Sequence, residues 1–213
     1  MPASETQRQQ LKGIIEQLSI SIEASQTLGG TSSELAEIES TLQQLNQKMM
    51  KLSNRKILEF YDPDYGNDLR KILPCSPFSG YFNPIAAKLN IYRVDDAVVA
   101  EGEFGLIHQG PPNCVHGGII SGVYDQVLAY CGIANGTPGF TASLRVNYLK
   151  PTPLFKPLRF SCQISKIDER QIHIEGKCYC VEELLSTAEG LFIHYENATI
   201  PSSADSIKGQ SQQ

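Results

Sequence analysis

The residues best suited to chemistry lie in one segment, PPNCVHGGIISGVYDQVLAYCGIANG, which spans positions 111–136. Its middle reads as an almost wholly apolar helix that nevertheless carries one carboxylate, Asp125. Burying an ionised carboxylate without a partner is strongly unfavourable. Asp125 is therefore expected either to have a bonding partner or to take part in a reaction.

The two glycines that follow His116 indicate a site for a developing negative charge. Gly117 and Gly118 have no side chains, so a ligand can approach their N–H groups closely. If the helix begins here, these N–H groups have no acceptor within the helix and lie at the positive end of its dipole. Such a position suits a carbonyl oxygen whose carbon becomes tetrahedral during a reaction.

The spacing between His116 and Asp125 constrains how the two ends of this helix can cooperate. Asp125 follows His116 by nine residues, which is about two and a half helical turns. That is too far along one helix for the carboxylate to serve the helix start easily. In a symmetric dimer, Asp125 of one subunit could face the Gly117 amide of the other.

The domain that must position this helix is assigned to positions 56–200. Alternating apolar residues predict five strands, at 97–105, 140–149, 158–165, 171–180 and 186–195. The last three are joined by loops too short for a crossover helix, which predicts an antiparallel meander. A long apolar helix among such strands must be covered on most sides, so we expect an α+β fold in which a curved antiparallel sheet wraps around that helix.

Positions 1–55 differ in amino-acid composition from the rest of the chain, and their pattern predicts an N-terminal helical extension. Two apolar seams with alternating steps of three and four residues flank the turn Gly29-Gly30, and Thr31 with Glu34 forms a capping box. The first seam is Leu11, Ile15, Leu18 and Ile22, and the second is Leu35, Ile38, Leu42, Leu45, Met49 and Leu52. Each seam fits either an amphipathic helix packed on its own domain or an arm for oligomerisation. The polar segment 201–213 is predicted to be a disordered tail.

Together these motifs resemble a known family. The runs GPPNCVHGGIISGVYDQVLAY, PGFTASLRVNYLKPTPL and AEGLFI are similar to the hotdog-fold acyl-CoA thioesterases. The branch most resembled is the phenylacetyl-CoA-thioesterase-like group, which is related to 4-hydroxybenzoyl-CoA thioesterase. The resemblance covers about positions 74–195 and implies the hotdog fold, with a curved sheet around a long central helix.

The resemblance implies a role for each matching residue. The Gly117 amide, with Gly118 beside it, would bind the thioester carbonyl, and His116 would help to shape that pocket. Asp125 of the partner subunit would act as a general base on water or as a direct nucleophile, and Thr141 would position the attacking water. The reaction would hydrolyse an acyl-CoA to a free acid and CoA without a metal or other cofactor, in a homodimer or a dimer of dimers.

One departure from the family concerns the carbonyl pocket. Some relatives have an Asn six residues before the histidine, where this sequence has Gly110. Asn113 or Gln109 could replace it, or the amides alone could hold the carbonyl.

The CoA phosphates are expected to meet cations at the pocket mouth. The nearest candidates are Arg145, Lys150 and Arg170.

Composition narrows the classes of function. The chain has 213 residues and a formal net charge of -5, which gives no broad basic surface for nucleic acid or anionic membrane. Its six cysteines form no CxxC pair, and its start is not a signal peptide, so we expect a cytoplasmic protein with reduced thiols. Two other functions remain open: a non-catalytic module that binds acyl-CoA or another ligand and uses the helical arm for a partner, and a purely structural interaction protein.

Overall fold

The computed structural model describes residues 4–54, 57–61 and 64–194. The predicted tail at 201–213 and the end of the last predicted strand lie outside these ranges. The helices are α1 (Glu5–Ser25), α2 (Ser32–Leu52) and α3 (Gly117–Ala134), and the strands are β1 (Lys88–Val94), β2 (Ala97–Glu103), β3 (Gly139–Tyr148), β4 (Leu158–Asp168), β5 (Gln171–Cys180) and β6 (Glu183–His194).

The six strands form one antiparallel sheet in the order β1-β2-β4-β5-β6-β3. The predicted meander of β4, β5 and β6 is confirmed, and so is the α+β hotdog class. Strand β1 was not predicted, although its alternating buried residues Leu89 and Ile91 carry the signal. Strand β3 pairs with β6 on one side, and among the described residues it pairs with no strand on the other.

Helix α3 is the centre of the core because most of its residues are apolar. Its buried face includes Tyr124, Val127, Leu128 and Tyr130, all fully enclosed. The Tyr124 ring meets Phe160 of β4 edge-on at 5.2 Å, and its hydroxyl bonds to the Ser186 backbone oxygen at 2.9 Å. Because the Tyr124 hydroxyl has this hydrogen-bond partner, burying the residue carries little free-energy penalty.

A bulge in β3 decides which of its side chains face α3. The pairing with β6 shifts between Thr141 and Ser143, so Ala142 is an extra residue in the strand. Thr141 pairs opposite Phe192, and Tyr148 pairs opposite Ser186. Phe192 and Ser186 are both buried on the side of the sheet that faces α3. Without the bulge Thr141 and Tyr148, seven apart, would point to opposite faces of the sheet.

The two N-terminal helices behave differently. Helix α1 packs on the main domain through its partly buried side, which includes the predicted seam. Arg8 donates to the Phe60 carbonyl at 3.1 Å, and Ser19 donates to the Pro84 carbonyl at 2.5 Å. Helix α2 begins with the predicted capping box and has no buried residue. No helix among the described residues is both long enough and apolar enough to cross a membrane.

Candidate active site

The start of α3 leaves one backbone donor without an acceptor. His116 is the N-cap, and its Nδ1 accepts the Gly118 N–H at 2.9 Å. The predicted Gly118 donor is therefore used within the protein, whereas the Gly117 N–H has no acceptor among the described residues. Because Nδ1 accepts this proton, the neutral imidazole carries its own proton on Nε2.

The last two residues of the loop before α3 are fixed by backbone hydrogen bonds. The His116 N–H donates to the His108 carbonyl at 2.8 Å, and the Val115 N–H donates to the Thr152 carbonyl at 2.8 Å. A Cβ atom at Gly110 would lie 2.7 Å from the His116 Cα, which is closer than such atoms approach. This loop path therefore excludes an asparagine at position 110, where some relatives have one.

Asn113 lies in this loop with a left-handed backbone, φ 61°, which asparagine tolerates better than most residues. Its N–H donates to the Gln109 side-chain oxygen at 3.0 Å, and its carbonyl accepts the Leu154 N–H at 3.1 Å. Both residues proposed to replace the missing asparagine thus help to fold the loop. The Asn113 side chain is exposed.

Asp125 and Thr141 are brought together by the bulge in β3. The Thr141 hydroxyl donates to Asp125 Oδ1 at 2.8 Å, which fixes the carboxylate on the side of α3 that faces the open edge of the sheet. Asp125 is half-buried rather than enclosed. Its second oxygen remains able to accept a proton, and the Thr141 oxygen can still accept a hydrogen bond from water.

Two residues beside Gly117 were missed by sequence reasoning. The Tyr148 hydroxyl donates to the Gly117 carbonyl at 2.8 Å and lies 2.5 Å from the Ser121 Oγ. Ser121 also donates to the Gly117 carbonyl at 3.1 Å. The Tyr148 side chain lines a groove of about 360 Å³, together with Gly117, Ile120 and Lys150. The sequence contains Tyr148 within a predicted strand, but it does not show that the Tyr148 side chain faces α3, because that depends on the bulge in β3.

Gly117, Ser121 and Asp125 form a single stripe along α3, because residues four apart lie one above another on a helix. Eight residues of rise separate the two ends of the stripe by about 12 Å. One carbonyl group cannot reach both the Gly117 N–H and the Asp125 carboxylate of the same helix.

The three predicted CoA-binding cations do not converge in one subunit. Lys150 forms an ion pair with Glu183 just beyond the end of β3. Arg145 is exposed in the middle of β3, on the face turned away from α3. Arg170 lies in the turn after β4, where its Nε donates to the His194 carbonyl at 3.3 Å.

A second contact network supports the loop from the N-terminal side. Glu23 of α1 accepts the Leu106 N–H at 2.5 Å, at the start of the 3-10 turn Leu106–His108. His108 is buried, and burial lowers the pKa of its imidazole below the usual range. Its carbonyl receives the His116 N–H, so α1 acts on the helix start through two hydrogen bonds. The contact between Glu23 and Leu106 could not be predicted from the sequence, because the two residues are far apart in the chain and share no local pattern.

The comparisons with known proteins agree with this architecture. No family model matches the sequence. Acyl-coenzyme A thioesterase THEM4 of Mus musculus is 33% identical over 103 residues, a match that covers 47% of this chain and 44% of that protein. The same enzyme of Bos taurus is 33% identical over 87 residues, covering 40% of this chain and 35% of that protein. The chain thus matches less than half the length of these curated relatives.

A solved thioesterase superfamily protein superposes with a TM-score of 0.77 at 22% identity, over 90% of this chain and 96% of its own. Positions 56–213 alone could not give this coverage, so the shared architecture includes part of the N-terminal helices. The chain therefore has the hotdog fold of this solved thioesterase superfamily protein, and over less than half of its length it is similar in sequence to acyl-coenzyme A thioesterase THEM4.

Proposed function

We propose that this protein is an acyl-CoA thioesterase that hydrolyses a thioester to a free acid and CoA. The observation that carries the proposal is the stripe on α3. At one end it has a Gly117 N–H with no acceptor in the described part of the chain, and at the other a Thr141-bound carboxylate. The similarity to acyl-coenzyme A thioesterase THEM4 supports the substrate class.

The Gly117 N–H supplies the electrophilic side of the reaction. It would donate to the thioester oxygen, which gains negative charge as the carbonyl carbon becomes tetrahedral. The peptide group that carries this N–H is held through the His116 carbonyl, which accepts the Ile119 N–H at 2.9 Å and the Ile120 N–H at 3.2 Å. Tyr148 and Ser121 hold the Gly117 carbonyl, and His116 Nδ1 holds the Gly118 N–H, so the next peptide group is also oriented before the substrate arrives. A donor that is already oriented stabilises the transition state without a reorganisation cost.

Asp125 supplies the nucleophilic side, by one of two routes. As a general base it would accept a proton from water while the water oxygen attacks the carbonyl carbon, and the C–S bond would then break to release CoA. As a nucleophile it would form a mixed anhydride that water hydrolyses afterwards. Neither route needs a metal or redox cofactor, and CoA enters only as part of the substrate.

The two sides are proposed to meet across a homodimer. Strand β3 has an open edge in the described structure, and it exposes Phe140 and Tyr148. A two-fold axis at this edge would pair β3 with its copy and run the two α3 helices antiparallel. Gly117 of one subunit would then face Asp125 of the other, which overcomes the separation of about 12 Å along one helix.

The remaining sequence-based assignments stay within this proposal. Lys150 lies in the groove beside Gly117, so it is the cation best placed to meet a CoA phosphate. Arg145 and Arg170 would contribute only if the partner subunit brings them to that groove. All six cysteines are free, in keeping with the proposed cytoplasmic location.

The proposal is tested by thiol release from a panel of acyl-CoAs, short to long and aromatic. Asp125→Asn keeps the shape and the Thr141 contact but removes the base, so kcat should fall by about 10²–10⁴-fold. Asp95→Asn is the matched control, because Asp95 is exposed in the β1–β2 turn, where asparagine tolerates its positive φ of 52°.

Two results would contradict the thioesterase. One is turnover by Asp125→Asn equal to that of the control. The other is binding of acyl-CoA by the folded wild-type protein without hydrolysis anywhere in the panel, which would make it a binding module.

A further inference from the structure

Helix α2 carries an apolar surface that the described part of the chain leaves exposed. Its seam residues Leu35, Ile38, Leu42 and Leu45 are 39–44% exposed, and Leu52 is 77% exposed. The corresponding seam of α1 is partly buried against the domain. A contiguous exposed apolar stripe on a soluble domain marks an interaction site more often than a free surface.

We propose that this seam binds the same seam of a second copy of the chain, as an antiparallel two-helix coiled coil. The helix is three heptads long and is only marginally stable alone in water, even with its capping box. A partner helix that covers the seam would supply the missing burial.

The order of the seam residues fits a second copy. In an antiparallel pair, each a position packs against a d position of the partner. Aligned about the helix centre, Leu35 meets Leu52, Ile38 meets Met49, and Leu42 meets Leu45. Every layer then contains two large apolar side chains, and a two-fold axis repeats each layer. A surface that is complementary to itself is what an isologous contact requires.

The flanking charges select the antiparallel arrangement over the parallel one. In a parallel pair, Glu34 of one helix would face Glu39 of the other, and symmetry would repeat this repulsion. In the antiparallel pair, Glu39 faces Asn46, and Thr41 faces Lys48. The antiparallel register therefore places no like charges together in the heptads between Glu34 and Leu52.

The association is tested on the full-length protein by sedimentation over a dilution series. Leu42→Glu with Leu45→Glu keeps a strong helix former at both sites but puts four carboxylates at the centre of the contact. The matched control is Gln43→Glu with Gln44→Glu, which makes the same change of charge on the outer face. The seam variant should weaken self-association at least tenfold, and the control should match wild type.

Disulfide trapping tests the orientation. Leu35→Cys combined with Leu52→Cys should give cross-linked dimers on mild oxidation, because these positions meet between antiparallel helices. Leu35→Cys alone should not, because the two copies of residue 35 would lie about 25 Å apart. The wild-type protein gives the background from its six native cysteines.

Three results would overturn the proposal. The first is equal self-association of the seam variant and its control, with α2 still helical by circular dichroism. The second is a failure of Leu35→Cys combined with Leu52→Cys to give cross-linked dimers above the wild-type background. The third is efficient cross-linking of Leu35→Cys alone, which would indicate a parallel pair. None of these measurements depends on thioesterase activity, so this proposal and the proposed function can fail separately.

Discussion

Replacing Thr141 with valine isolates the contact that fixes Asp125. Valine has nearly the same shape and suits a strand equally well, so the change removes a hydroxyl and little else. The lost hydrogen bond runs from the Thr141 hydroxyl to a carboxylate oxygen at 2.8 Å. Hydrogen bonds to charged groups contribute about 1.5–3 kcal/mol, and the exposure of Thr141 in one subunit favours the lower end.

A loss of about 1.5 kcal/mol in transition-state stabilisation corresponds to a fall in kcat of roughly tenfold. The assay is thiol release with the best acyl-CoA of the panel, and KM should stay within about twofold because the hydroxyl orients the catalytic group rather than the CoA. Thr141→Ser keeps the donor and should recover most of the rate. The free energy of unfolding should fall by no more than about 1.5 kcal/mol, the lower end for such a hydrogen bond.

Ser143→Ala is the control, since Ser143 follows the bulge and pairs opposite Leu191 rather than opposite an inward-facing residue. Full kcat in Thr141→Val would refute the positioning role of the hydroxyl. The same refutation would follow if Thr141→Ser were as slow as Thr141→Val, or if Ser143→Ala lost as much activity as either.

Two further predictions concern the helix start and the core. Tyr148→Phe removes the donor to the Gly117 carbonyl, so kcat/KM for acyl-CoA should fall about three- to tenfold with a stability loss below about 1.5 kcal/mol; unchanged kcat/KM would show that Gly117 does not need this contact. Burial raises the pKa of the Cys131 thiol to about 11 and that of Cys178 to about 12, and it raises the pKa of Cys162 well above its usual range. Well below pH 8.5 both states keep these protons, but as the pH rises through about 8.5 the unfolded chain loses them first, so stability should fall by up to about 1.4 kcal/mol per pH unit for each thiol. Urea unfolding at pH 8, 9 and 10 under reducing conditions measures this, and a flat profile would contradict it.

The parts of the fold that local pattern dictates were predictable. The α3 start at Gly117 and the antiparallel meander follow from short-range rules on glycine, capping and loop length, and all were confirmed. Strand β1 was missed although Leu89 and Ile91 alternate with polar residues, which is the pattern of a half-buried strand. The two N-terminal seams look equivalent in sequence, yet α1 packs on the domain and α2 does not.

The candidate site was predictable in its residue types but not in its contacts. Asp125 and Thr141 were both expected to function, but their direct hydrogen bond requires Thr141 to face α3. Simple alternation along β3 puts Thr141 on the same face as Ser143 and Arg145, away from the helix. The extra residue Ala142 turns the Thr141 side chain to the face that meets α3. The alternation of apolar and polar residues does not predict such a bulge.

The contacts within one subunit also indicate where the proposed two-fold axis would pass. If Gly117 of one α3 faces Asp125 of the other, antiparallel helices cross at the midpoint of these positions, which is Ser121. On β3 the neighbours of Gly117 and Asp125 are Tyr148 and Thr141, whose midpoint lies between Leu144 and Arg145. Strand and helix run side by side here, so a single axis can pass both midpoints. The spacing of Gly117 and Asp125, unusable within one helix, is then the spacing that a symmetric pair of sites requires.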